Sequence, residues 1–423
     1  MFKAYPRHSV DLTIFDFKII ISFLFESKPK RSKYIEKFEN MFCDHVGTLH
    51  AISMPSARLG LYVLLKYYNF PKGSEVIITP FTHQSIFTVL KSFNLKPVFV
   101  DIDVLTHNTN PDLVRKAVTD NTKLLILTHM WGQPCNMKEY LKIKQEHDIA
   151  IIEDCAMAAG ASFQGKKVGS FGDASIFSFG KAKAICAFGG GMLCTSDSNI
   201  FRYAKDITKD FRPPKPLPLS ISIINSFIAN ILTRPFFFFF SIFPIMRLFN
   251  LTDPYNPVEH KKDSEIILAE MPDEWKTSIS QIQAAVGIEQ LKSLDKRNDM
   301  RIKNSELLNE LLKDIDGILT PVTTNELKHI YLYHALYIKN ASNLNALRKK
   351  LLRLSVDTQL NELTTPTQLG VFGANSEDFP VFNDVSDKIL VIPNGIYLND
   401  KDINKIATAL KICLNSQTIN NEH

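Results

Sequence analysis

Between residues 50 and 200, short apolar β-branched runs alternate with stretches whose apolar positions recur at helical spacing. EVIITP (75–80), KPVFVDID (96–103), KLLILTH (123–129), IAIIED (149–154) and ASIFSF (174–179) predict buried parallel strands. The spacing predicts helices over 56–68, 85–93, 111–118 and 137–147 between them. Strand–helix alternation of this kind gives an α/β domain with a mainly parallel sheet. In such sheets ligands bind at the carboxyl ends of the strands, and Pro80, His129 and Asp154 fall at such ends. Residues 279–315 predict helix, with Ile282, Ala285, Val286, Leu291 and Leu294 on the apolar side. After Pro321 the pattern becomes a smaller mixed α+β unit: a strand over 329–338, then helices over 343–354 and 401–414. The expected division is an N-terminal segment 1–30, a large domain 31–290 and a small domain 291–423.

The segment 213–250 breaks this rhythm. Its first half separates two faces: Ser222, Asn225, Ser226, Ala229, Asn230 and Thr233 follow one helical stripe, and isoleucines and phenylalanines fill the rest. The polar stripe carries no charge. The second half is five consecutive phenylalanines between Pro235 and Pro244. A spanning helix needs roughly 20 apolar residues, and Arg234 and the two prolines interrupt this run. An amphipathic helix in a membrane interface, or a shallow re-entrant pair, fits the pattern, with Lys209, Arg212, Lys215 and Arg247 favouring an anionic surface. The alternative is an apolar flap on a partner subunit.

Composition narrows the function classes. The 423 residues are 45% hydrophobic and 22% charged, with a net charge of +5, so two domains with a sizeable core are expected. No basic block interleaves with aromatics, which disfavours nucleic acid. The six cysteines show no paired or metal-ligand spacing, which suits a reducing, cytoplasmic setting and argues against a zinc site. The apolar stretch IFDFKIIISFLF near the start carries Asp16 and Lys18 and lacks a cleavage site, unlike a signal peptide.

Two features suggest chemistry. Asp154 ends an apolar strand, and a buried carboxylate there needs a cation or strong donors; a helix N-cap is the alternative. SFGKAKAICAFGGG (178–191) places Lys181 and Lys183 in an apolar setting. A buried lysine tends to lose its proton and become nucleophilic toward carbonyls. The spacing alone does not choose between the two lysines. An acid at one strand end, an amine after a neighbouring strand and a serine at a helix start are the parts that hold pyridoxal phosphate.

SEVIITPFTHQSIFTVLKSFNLKPVFVDID, THMWGQPCNM, IIEDCAMAAGASFQGKKVGSFGDASIFSF, SISQIQAAVGIEQL and ILVIPNGIYLNDKDINKIATALK stand in one order along the chain. In this the sequence resembles the DegT/StrS family of pyridoxal-phosphate-dependent sugar aminotransferases over nearly its whole length. The resemblance implies a fold-type-I aminotransferase, a homodimer, an amino donor that is glutamate by family habit, and a nucleotide- or lipid-linked keto-sugar acceptor. It also implies roles. Lys183, five residues after Ser178, would form the Schiff base; Asp154 would pair with the pyridine nitrogen; Ser178, Ser56 and Ala57 would hold the phosphate; and His83 would stack on the ring. The chain departs from the family at Met157, where a glutamine is usual, at Gly189 for a glutamate, and at Lys276 and Ser278 for an asparagine and an arginine. The family's sugar dehydratases replace the lysine with histidine, and a non-catalytic membrane-docked scaffold is the further rival.

Overall fold

The computed structural model describes residues 2–25, 32–252, 271–322, 324–339, 343–361, 363 and 373–418. The strands β1 (His50–Met54), β2 (Glu75–Ile78), β3 (Lys96–Phe99), β4 (Thr122–Thr128), β5 (Ala150–Asp154), the short pair β6 (Ser162–Phe163) and β7 (Lys166–Lys167), β8 (Ala174–Ser178) and β9 (Gly191–Thr195) follow in chain order. All except β6 and β7 join one seven-stranded sheet of order β1-β9-β8-β5-β4-β2-β3. β3, β2, β4, β5 and β8 run parallel. β9 runs antiparallel to both β8 and β1. Val76, Ile78, Leu124, Ile126, Ile152 and Ile176 are fully buried, because a parallel sheet is covered on both faces. The covering helices include α2 (Ser32–Val46), α3 (Ala57–Tyr68), α4 (Gln84–Ser92), α5 (Pro111–Ala117), α6 (Met137–His147) and α7 (Ser198–Thr208), and α1 (Ile14–Phe25) lies outside that layer. The α/β class expected from the alternation is the class observed.

Several expected elements differ in extent. The strand expected over 96–103 stops at Phe99. Just beyond it the Asp101 carboxylate accepts the backbone N–H groups of Val381 and Phe382, each at 2.9 Å, and draws the chain off the sheet. The helix expected over 279–315 is two, α11 (Gln281–Lys292) and α12 (Leu294–Leu312), meeting at Ser293. The strand expected over 329–338 covers only His334–Ile338. Upstream, Tyr331 adopts a left-handed φ of 46° and its ring stacks on His329 at 3.8 Å, a conformation no strand continues through.

The 213–250 segment forms three helices, α8 (Pro216–Leu232), α9 (Pro235–Phe240) and α10 (Ile242–Phe249). Among the described residues no helix is long and apolar enough to cross a membrane. A three-stranded antiparallel sheet carries the C-terminal half: β10 (Ile318–Leu319) and β13 (Ile389–Ile392) flank β12 (His334–Ile338), while β11 (Leu327–Lys328) pairs with β6. α13 (Leu344–Arg353), α14 (Pro380–Lys388) and α15 (Asp400–Thr418) complete that half. Its core of Leu308, Leu336, Leu351, Leu390, Ile406 and Leu410 also takes in Tyr5 from the start of the chain, whose backbone bridges Val356.

Candidate active site

Successive residues of a strand face opposite ways, so the last two of β5 do different work. Glu153 is fully buried. It accepts N–H groups from Gly169 at 2.8 Å and from Phe171 and Gly172 at 2.7 Å, and it meets His129 Nε2 at 3.0 Å. Burial raises a carboxyl pKa, but His129 and these N–H groups outweigh it and hold Glu153 below its usual range. Glu153 thus folds the VGSFGD turn onto β5. Asp173 of the same turn accepts the N–H of Ile151 at 2.8 Å and pairs with Lys144.

Asp154 is also buried. Burial raises its pKa, opposed by the Ala156 N–H at 3.0 Å and by the charge of Lys183. Lys183 responds in kind: burial of its amine lowers its pKa, and Asp154 pulls it back up. Carboxylate and amine therefore act on each other inside the fold. Lys183 sits on a loop pinched at its base, where Phe179 donates to the Gly190 carbonyl at 2.9 Å and Ala187 to the Phe179 carbonyl at 3.1 Å. The C-terminal half steadies the same loop. Arg297 donates to Ala184 O at 2.8 Å and Tyr333 OH to Ala182 O at 3.0 Å. Lys181 is partly buried on the same turn.

Ser178, the last residue of β8, pairs across the sheet with Gly191. A Cβ on Gly191 would lie 2.5 Å from the Phe177 carbonyl oxygen and 2.7 Å from Ala57 N. Only glycine lets the start of α3 approach the sheet this closely. Ser56 caps α3, its hydroxyl accepting Leu59 N–H at 3.2 Å. The first N–H groups of a helix favour an anion. Ser178 Oγ and Lys183 Cγ both lie within 4 Å of where a Gly180 Cβ would stand, at 3.9 and 3.8 Å. A hydroxyl, an anion-binding helix start, a buried carboxylate and a partly buried amine thus converge, and this set fits pyridoxal phosphate.

The remaining expected residues are placed as follows. His83 caps α4, is exposed, and holds Ser85 Oγ at 2.8 Å. Met157 packs between the two main cores of the sheet domain. Gly189, at φ 116°, gives its carbonyl to Gln283 Nε2 at 3.3 Å. Lys276 is exposed and pairs with Asp273 at 2.7 Å.

His129, Glu153 and Cys155 cluster closely enough to hold a metal, yet each ligand is engaged otherwise. His129 Nδ1 accepts the Cys135 N–H at 3.0 Å, its Nε2 faces Glu153, and burial pushes the Cys155 thiol up to about 12.

The cleft beside Lys183 is lined by Arg7, His8, Asp11, Arg301, Tyr333 and Asn394. None of these carries a local signal in the sequence. Arg7 is held by Asp357 at 2.9 Å through Nε, and Asp11 pairs with Arg301. These partners lie about 300 residues or more apart along the chain.

The GDP-perosamine synthase of Escherichia coli O157:H7 is 32% identical over 171 residues, 40% of this chain and 47% of that protein. The chain thus spans less than half the length of that curated relative. Two solved structures share the fold. Helicobacter pylori PseC, an aminotransferase involved in the biosynthesis of pseudoaminic acid, has a TM-score of 0.76 at 19% identity over 98% of this chain and all of its own. The E. coli GDP-4-keto-6-deoxy-D-mannose-3-dehydratase with bound hydrated PLP has a TM-score of 0.74 at 21% identity, covering 97% and 100%. The model of the DegT/DnrJ/EryC1/StrS aminotransferase family matches residues 21–210 and 268–411. The chain belongs to the DegT/DnrJ/EryC1/StrS aminotransferase family.

Proposed function

We propose that the protein is a pyridoxal-phosphate-dependent sugar aminotransferase of surface polysaccharide or glycolipid biosynthesis. The carrying observation is the partly buried Lys183 at the cleft and the buried Asp154 carboxylate that acts on its amine, beside the Ser178 and α3 anion cradle. When bound, the cofactor supplies an electron sink for amino-group chemistry. The chain's residues do the rest. Asp154 holds a proton on the ring nitrogen. Ser178, Ser56 and the N–H of Ala57 take the phosphate. His83 covers the ring face. Lys183 would bind the cofactor and would be the group that moves the proton; burial lowers the pKa of its amine, the direction a base needs.

The family habit supports glutamate as amino donor and a nucleotide- or lipid-linked keto-sugar as acceptor. It also supports a homodimer, in which exposed Lys276 stands near the position of the family's phosphate donor to the partner subunit. We place the protein in the cytoplasm at the inner membrane face, in contact through 213–250. The division at 1–30, 31–290 and 291–423 is supported by the two sheets, whose main strands lie at 50–195 and 318–392.

Borohydride reduction of the protein incubated with pyridoxal phosphate, followed by peptide mass analysis, tests the reading. A reduced adduct on Lys183 is expected. An adduct on Lys181 would reassign the lysine, and no adduct on either would favour a non-catalytic scaffold.

A further inference from the structure

A surface helix of a globular protein turns its apolar stripe to the core and its polar side to water. α8 turns polar groups inward as well and leaves large apolar ones outside. Ser226 and Asn230 are completely buried. Asn230 Nδ2 donates to Leu12 O at 3.2 Å and to Tyr397 OH at 3.0 Å, and Ser222 Oγ donates to Phe188 O at 3.0 Å. These bonds fix the rotation of the helix. They leave Leu217, Ile224 and Ile228 facing out, 71%, 56% and 48% exposed.

α1, about 200 residues earlier in the chain, is inverted in the same sense. Its one carboxylate, Asp16, is fully buried and accepts from Gln290 Nε2 at 2.7 Å. Ile14, Phe15 and Ile21 stand exposed. The two helices touch: the Phe17 and Phe227 rings lie 3.8 Å apart, and Ile19 and Ile20 pack in one cluster with Leu219 and Ile223. Phe2 joins the assembly by packing on Phe239 at 5.5 Å and Phe240 at 6.0 Å. Of the 23 large apolar side chains exposed among the described residues, 12 lie on 217–251 and four on 2–21. A contiguous exposed apolar region of that size marks an interface.

Charge identifies the occupant. Residues 211–252 contain no Asp or Glu, while Arg212, Lys215 and Arg247 are exposed on them and Lys18 on α1. A second copy seated face to face would bring cations against cations. A bilayer carrying anionic headgroups meets both the cations and the hydrocarbon.

We propose that α1 and α8–α10 together form one docking face for an anionic lipid bilayer, with α1 as an equal part of it. This deepens the membrane reading of 213–250 and rests on it. The test is co-sedimentation of the full chain with phosphatidylcholine vesicles, with and without phosphatidylglycerol. The proteins compared are wild type, Ile224→Asp/Ile228→Asp and Phe15→Asp/Ile21→Asp. Cofactor absorbance and circular dichroism report the fold, and light scattering reports the oligomeric state.

Wild type is expected to bind the anionic vesicles at least ten-fold more tightly than the neutral ones, and each double variant to lose at least ten-fold while keeping both fold signals. Loss in the α8 variant alone would overturn the composite face while leaving the reading of 213–250 in place. No binding by wild type would overturn both. So would variants that change only the oligomeric state, because a second copy would then cover the face. If an aspartate pair disturbs the fold signals, the serine pair at the same positions replaces it, with the same loss expected.

Discussion

The floor of the lysine cleft and the inner side of α8 are both built from buried polar groups with partners, yet they present opposite things outward. At the cleft, Glu153, Arg297 and Tyr333 spend their hydrogen bonds on backbone groups so that one amine, Lys183, is left to act with Asp154. At α8, Asn230 and Ser222 bond backbone groups of the body, and hydrocarbon is what remains outside. The difference is in what is titratable. The cleft region holds acids, amines and imidazoles whose pKa values burial has moved. The inner side of α8 holds serine and asparagine among apolar side chains such as Ile223, Phe227 and Ala229, and no ionisable group. Buried neutral groups fix an orientation; buried ionisable groups also set reactivity.

The largest effect that sharpens this contrast is Lys183→Ala. Loss of a general base costs about 10²–10⁴ in rate, and loss of the cofactor bond adds to it, so transamination should fall by more than about 1,000-fold. Vesicle binding should be unchanged. A variant retaining a tenth of wild-type turnover would take Lys183 out of the chemistry.

Acid should act next. Burial lowers the pKa of His107 to about 4 and of His329 and His334 to about 3. The unfolded rings take up a proton below about pH 6.5, whereas the buried rings stay neutral until the lower values. Their contribution to stability is therefore complete above pH 6.5 and is lost as pH falls toward 4. Near pH 5 the cost is about 2 kcal/mol for each ring. Thermal melts at pH 7 and 5 should show the drop. Hydrogen exchange should place the first opening around 329–334, with α8 protected until later; α8 opening first would erase the contrast.

Glu153→Ala strands three N–H groups and His129, and breaking such a buried arrangement should cost about 3–5 kcal/mol. Denaturant melts would show it as a lower midpoint. Asn230→Ala removes hydrogen bonds to the Val10 and Leu12 carbonyls and the Tyr397 hydroxyl and one from Arg234, and should cost about 1–3 kcal/mol by the same measurement. Ile224→Ser, on the outward face of the same helix, should shift the lipid-free midpoint by less than about 0.5 kcal/mol. If it destabilises as much as Asn230→Ala, the inverted orientation of α8 is wrong.

The sequence makes the parallel strands legible because a strand buried on both faces reads as an unbroken β-branched run. β9 escapes that reading: GMLCT is short and opens on glycine. Tyr331 escapes too, since HIYLYHALYI has the composition of a strand and only tertiary packing turns its first half away. Asp154 is visible because a charged residue at an apolar strand end is locally odd; Lys181 and Lys183 are visible as a pair in an apolar setting, and only the family resemblance picks Lys183. Glu153 stands beside Asp154 in the motif, but its partners lie across a turn that no periodicity reveals. Arg7, Asp11 and Arg301 are invisible for a stronger reason: nothing in a window of 20 residues connects them. The two faces of α8 are legible, but which one points inward is not. That depends on carbonyls supplied by Leu12 and Phe188.

The closure of the N-terminal segment on the far end of the chain also bears on timing. Lys3 and Tyr5 both reach Asp402, at 2.8 and 3.2 Å, and Arg7 and Asp11 of the same segment wall the cleft. A ribosome adding about 5–20 residues per second releases Asp402 about 20–80 s after Lys3. The sheet can form early, but the cleft waits for Arg301, Tyr333 and Asn394. The apolar helix α1 meets its partners sooner, at Phe227 and Gln290. The nascent chain thus passes through an interval in which the sheet stands and the cleft beside Lys183 is still missing a wall.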